Sequence, residues 1–181
     1  MKNAKLFFLL AISITMLASC SPTLTPFTQR LQSQYDWSDA ELKRIQFYVS
    51  KDIVLKREAS GGTSEIIAGE IKVVDGRNID QVIIRKGTPG VLLFQPKENR
   101  FAVGFEDSSD SKFLIFGPSP KAGERYVLLA SQWQRRGGQV TYDGRKYRVD
   151  SENAYAALMV DLKKIRKVNV KNRRATGRRV N

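Results

Sequence analysis

The chain has 181 residues, 41% of them hydrophobic and 27% charged, a balance that suits one folded domain and excludes a disordered or wholly membrane-embedded chain. Lysine and arginine outnumber aspartate and glutamate by 31 to 18, for a net charge of +13. Histidine is absent and Cys20 is the sole cysteine, which excludes intrachain disulfides, cysteine-based metal clusters and active sites of the Ser-His and Cys-His kinds.

Lys2 and Lys5 open the chain with positive charge and an apolar run from Leu6 to about Leu17 follows, the layout of a secretory signal. The run falls short of the roughly 18 to 20 apolar residues that a spanning helix needs, and no later run approaches that length. It ends in Leu17-Ala18-Ser19-Cys20. A leucine, two small residues and a cysteine in this order resemble the lipobox of bacterial lipoproteins. The resemblance implies cleavage before Cys20, diacylglycerol on its sulfur and, in diderm bacteria, an acyl chain such as palmitate on the new N-terminus. Buried acyl chain is worth roughly 0.8 kcal/mol per CH₂, so two or three chains anchor a protein without help from its surface. Ser21 rather than an aspartate follows Cys20, which in the sorting pattern of such lipoproteins implies the outer membrane. No acidic cluster follows either, so the periplasmic face is expected rather than the cell surface.

Residues 1–19 are thus read as signal peptide. Residues 20–35 contain Pro22 and Pro26 among polar residues and read as a lipidated tether. A globular domain is expected over residues 36–162. Ser38 with Glu41 three residues on has the form of a capping box and predicts a short helix over residues 38–45. Strand patterns follow at 46–49, 53–57, 65–74, 81–84, 91–94, 101–105, 113–116 and 126–129, separated by Gly, Pro, Asn and Asp turns. The clearest hairpin spans 140–149, where Asp143-Gly144 suits a type I′ turn. Residues 152–165 fit two periodicities equally: Ala154, Ala156, Leu158, Val160 and Leu162 alternate as in a strand, whereas Tyr155, Leu158, Leu162 and Ile165 are spaced as on a helix. The fold class is mainly β, an antiparallel meander closing into a small sandwich or barrel, with the short N-terminal helix and a second helix at the C-terminal end if the helical spacing prevails. The layout is similar to that of small β-rich outer-membrane lipoproteins of Bacteroidota.

The charge is concentrated at the C-terminal end. Residues 163–181 form a basic tail with nine cations, Lys163, Lys164, Arg166, Lys167, Lys171, Arg173, Arg174, Arg178 and Arg179, and no acid. Residues 20–161 hold 20 cations against 18 acids. The tail is a candidate for anion or partner binding, and since the acyl chains already anchor the protein, a protein partner is the expected contact, with anionic lipid or glycan as the alternative. Nucleic acid matches the charge but not the exported setting. Trp133, Arg135 and Arg136 place an aromatic ring and two guanidinium groups beside a Gly pair, a combination suited to sugar stacking or anion clamping. Glu106, Asp107 and Asp110 cluster three acids without the spacing of a calcium loop, and Ser131, Ser151 and Lys112 supply the parts of a Ser-Lys dyad without a spacing that joins them. No catalytic residue, metal or cofactor is therefore expected. The function that remains is a non-catalytic accessory or structural subunit of an envelope complex, with a ligand-binding module for lipid, glycan or peptidoglycan as the alternative.

Overall fold

Alternation of apolar and polar side chains builds strands that each bury one face, and the computed structural model, which describes residues 23–58, 71–74, 77–107 and 109–168, stacks them as two antiparallel sheets. Strands β1 (Leu24–Pro26), β2 (Gln46–Val49), β6 (Pro89–Lys97), β7 (Arg100–Gly104), β8 (Phe113–Ser119), β9 (Arg125–Leu128) and β13 (Leu158–Asp161) form the first sheet, in the order β1-β13-β2-β6-β7-β8-β9. The second contains β3 (Ile53–Glu58), β4 (Ile71–Val74), β5 (Arg77–Ile84), β10 (Ser131–Gln134), β11 (Gly137–Tyr142) and β12 (Arg145–Asp150), in the order β10-β11-β12-β3-β5-β4. Helices α1 (Gln29–Tyr35), α2 (Asp39–Leu42) and α3 (Leu162–Val168) complete it.

The first sheet curls until its edges meet. Tyr126 donates its backbone N–H to the Phe27 carbonyl at 3.0 Å, Gln29 donates to Glu124 at 3.0 Å, and Leu128 donates to Ala156 at 2.9 Å. Bonds of this kind remove the open edges that otherwise invite pairing with other chains. Inside the curl, Phe27, Phe47, Phe101, Phe116 and Tyr126 are fully buried, and Phe27 touches Phe47, Phe101 and Tyr126 at ring distances of 5.3, 5.6 and 5.0 Å. Ile53, Leu55, Ile84, Val140, Tyr142, Tyr147 and Val149 of the second sheet belong to the same core.

Three expectations change. The tether expected over residues 20–35 is not a tether from Leu24 onward: β1 pairs with β13, and Thr28 caps α1 by accepting from Leu31 N at 3.1 Å. Polar residues and proline are tolerated there because β1 is a three-residue edge strand needing little side-chain burial, while one aromatic, Phe27, supplies the attachment. The helix expected over 38–45 is the single turn α2; its capping box is present, with Ser38 N donating to the Glu41 carboxylate at 3.0 Å and Ser38 Oγ at 2.6 Å. Beyond it, Ile45 is drawn into the core and the chain enters β2. Residues 152–165 use both periodicities in succession, a 3-10 turn at Ser151–Tyr155, then β13, then α3. Because Ile165 is buried, the fold runs past 162, and Lys163 and Lys164 belong to a packed helix rather than to a tail.

Candidate functional site

Chemistry-bearing side chains gather in several groups, two of which, at Glu106 and at Asp80, adjoin through the Tyr142 and Tyr147 rings, 6.3 Å apart. The β10–β11 hairpin holds Trp133, 39% exposed, with Arg135 and Arg136 exposed in its turn. The indole lies against Gly138, where a Cβ would fall 2.8 Å from Trp133 Cε3, so the absent side chain is what seats the ring. The structure thus brings these three residues onto one hairpin, with no acid among them. β10 itself was not visible in the sequence, since all four of its residues are exposed and show no alternation.

The acids of 106–110 do not converge. Glu106 accepts from Lys112 Nζ at 2.7 Å and from Tyr142 Oη at 2.5 Å, whereas Asp107 and Asp110 point to solvent. Among the described residues no cluster of carboxylates is placed to hold a metal ion. Burial works to raise the Glu106 pKa, but the hydrogen bonds from Lys112 and Tyr142 and the lysine charge outweigh it and hold the carboxyl below its ordinary value of 4.5. A depressed carboxylate pKa contributes stability above the unfolded value that is lost as pH falls through the folded one. With the carboxylate side chain one third exposed, the contribution is small, below about 1 kcal/mol. Urea midpoints of the wild type and Glu106→Gln should accordingly differ most near neutral pH and converge in acid; a constant offset would assign the effect to packing instead. Burial, then the hydrogen bond to Glu106, pushes the Tyr142 hydroxyl far above the usual phenol range and keeps it a donor.

The Ser-Lys combination is not assembled. Lys112 is engaged by Glu106, Ser131 Oγ donates to the Gln139 carbonyl at 3.1 Å, and Ser151 opens the 3-10 turn. On the second sheet, Arg57 donates to Asp80 at 2.9 Å and Tyr147 Oη donates to the same carboxylate at 3.0 Å. The hydrogen bond to Asp80 holds the guanidinium pKa above its usual value despite partial burial. Among the described residues no buried side-chain nitrogen or oxygen lacks a hydrogen-bond partner, so these networks are arranged as structural braces.

Of the basic residues, Lys163 and Lys164 are exposed on α3. Arg166 and Lys167 lie in the same helix, with side chains outside the described residues, and Cys20, Lys171, Arg173, Arg174, Arg178 and Arg179 also lie outside them. One surface was missed by the sequence reading. On β6, Val91 and Phe94 are 44% and 41% exposed, and Phe94 meets Phe113 of β8 edge to face at 5.0 Å. Val91 pairs with Gly104 and Phe94 with Ala102, positions that alternate with the inward Phe101 and Val103, so the pair stands on the outer face of the curled sheet. The signal was Val91-Leu92-Leu93-Phe94 itself: four apolar residues in a row within an antiparallel strand must put some outside.

The chain is an antiparallel β protein of two sheets around an apolar core. No protein-family model matches it, and neither a curated protein nor a solved structure matches it.

Proposed function

We propose that the protein is a non-catalytic accessory subunit of an envelope protein complex, anchored by acyl chains on Cys20 to the periplasm-facing leaflet of the outer membrane, and that the outer face of β6 to β8 meets its protein partner. The observation that carries this reading is where the apolar side chains go. Five aromatic side chains are buried inside the curled sheet, while on its exterior Val91 and Phe94 remain in water beside Phe113. An exposed aromatic with an aliphatic neighbour and a polar residue beside it, here Gln46 opposite Val91, has the anatomy of an interface centre. The matched hydrogen bonds at Glu106 and Asp80 support a structural role for the charged groups, and the missing histidine removes the commonest general base. The alternative, a ligand-binding module for glycan, peptidoglycan or lipid, draws on the exposed Trp133 with Arg135 and Arg136.

One experiment separates the two. Crosslinking in native membranes followed by affinity purification should recover a partner in fixed ratio, and Phe94→Asp should reduce that recovery by roughly tenfold or more, as loss of an interface anchor does. Trp133→Ala should leave it unchanged. Recovery of the protein alone, or capture indifferent to Phe94→Asp, would sink the accessory reading; capture lost with Trp133→Ala would transfer recognition to the hairpin.

A further inference from the structure

We infer that the end of the domain that carries Lys43, Arg44, Lys163 and Lys164 lies against the same membrane leaflet that holds the acyl chains, with these four cations facing anionic phospholipid headgroups. The inference rests on the acylation of Cys20. It departs from the expectation that the basic segment reaches for a protein partner, and the reason is strand register.

β1 and β13 are antiparallel, with Leu24 opposite Asp161 and Thr25 opposite Val160. The beginning of β1 and the end of β13 therefore share one end of the sheet. β2 runs beside them with Val160 opposite Phe47, so the residues just before β2, Lys43 and Arg44, leave from that end too. Both are exposed. After β13, α3 is held close by Ile165, which is buried in the core, and by Leu162 packed against it, and this leaves Lys163 and Lys164 exposed near the chain's entry point.

Three of the acids near these cations are engaged locally. Asp161 is buried and accepts from Lys163 N at 3.0 Å, Asp39 accepts from Gln95 at 2.7 Å, and Glu41 accepts from Ser38. No acid follows Asp161 in the sequence, while Arg166, Lys167, Lys171, Arg173, Arg174, Arg178 and Arg179 do.

Reach completes the argument. Leu24 is fixed in the sheet, and only Ser21, Pro22 and Thr23 lie between it and Cys20, four Cα steps that span at most about 14 Å when fully extended. A lipid on Cys20 thus holds this end of the domain at the headgroups, within about two Debye lengths at physiological ionic strength, where cations are drawn to an anionic surface. A tether of sixteen residues would have left the orientation free. The short one selects the basic end.

The test removes the lipid so that charge is measured alone. The mature chain carrying Cys20→Ser is sedimented with vesicles of phosphatidylcholine and with vesicles in which about one third is phosphatidylglycerol. Binding is expected only to the anionic vesicles, should vanish at high salt, and should fall by roughly tenfold when Lys43, Arg44, Lys163 and Lys164 are all changed to Glu. Reversing Arg135 and Arg136 is the control, because their hairpin packs toward the 3-10 turn before β13 and away from the anchored end; it should have no effect. Equal binding to both vesicles, no binding, or equal loss with the control would overturn the inference. So would a partner captured by the unlipidated chain, lost on the fourfold reversal and unaccompanied by vesicle binding, which would assign the charge to an acidic protein face. Mass measurement of Cys20 in the wild type reports separately on acylation, so failure of the anchor and failure of the basic face are distinguishable.

Discussion

Phe27→Ala is expected to destabilise the protein by about 3 to 5 kcal/mol, as removal of a buried aromatic does where the core cannot collapse. Phe27 is fully buried and lies against four rings: Phe47, Phe101, Tyr126 and Trp37, the last stacked at 6.0 Å. Its backbone also joins β13 to β9, donating to the Leu158 carbonyl at 2.9 Å and accepting from Tyr126 N at 3.0 Å. Truncation leaves a cavity at this seam and weakens β1, whose three residues have little else to hold them. For a domain of this size the loss corresponds to a fall in Tm on the order of 10 °C, readable by thermal unfolding of the purified protein. Ser33→Ala, on the exposed side of α1, is the control and should leave Tm unchanged. The result discriminates sharply, because a tether over residues 20–35 would make both substitutions silent.

What the sequence disclosed and what it concealed divide along the range of the interactions involved. The Asp143-Gly144 turn was readable because both residues must adopt positive φ, and they do, at 49° and 68°. The Ser38–Glu41 capping box was readable for the same reason, a fixed local geometry written in two side chains. Pairings of β12 with β3 and of β13 with β2 were not, since no local pattern encodes which of several similar strands will be neighbours. Proline also misled: Pro89, Pro96 and Pro118 read as turns, yet lie within β6 and β8. Trp133, Arg135 and Arg136 were legible as a chemical grouping, and the hairpin does collect them. The exposed Phe94 was legible only in hindsight, because its apolar run resembled a core strand. The charge of Lys163 and Lys164 was plain, but their proximity to the entry of β1 is a matter of register, and register is set by packing.

Cys20→Ser is expected to move the protein from the membrane to the soluble fraction almost completely at high salt and to abolish palmitate labelling. Each acyl chain contributes roughly 0.8 kcal/mol for every CH₂ it buries, so losing two or three chains changes partitioning by many orders of magnitude, whereas loss of a few surface charges changes it modestly. At low salt, however, the basic end predicts that some of the Cys20→Ser protein stays with anionic membranes, and that this remainder is released when Lys163 and Lys164 are also changed to Glu. Fractionation at two salt concentrations, with palmitate labelling and an unfolding curve on the released protein to exclude loss of fold, checks all of this together. Unlabelled wild type would overturn the lipobox reading of Leu17-Ala18-Ser19-Cys20. Labelled wild type with a Cys20→Ser variant that leaves the membrane equally at both salt concentrations would keep the anchor and remove the charge contact. The two contributions differ in their physics: acyl burial is insensitive to salt and headgroup contact is not. On the proposed reading, a short connection between them would make the lipid determine which end of the domain faces the bilayer, and would leave the outer face of β6 to β8 free for a partner at the side.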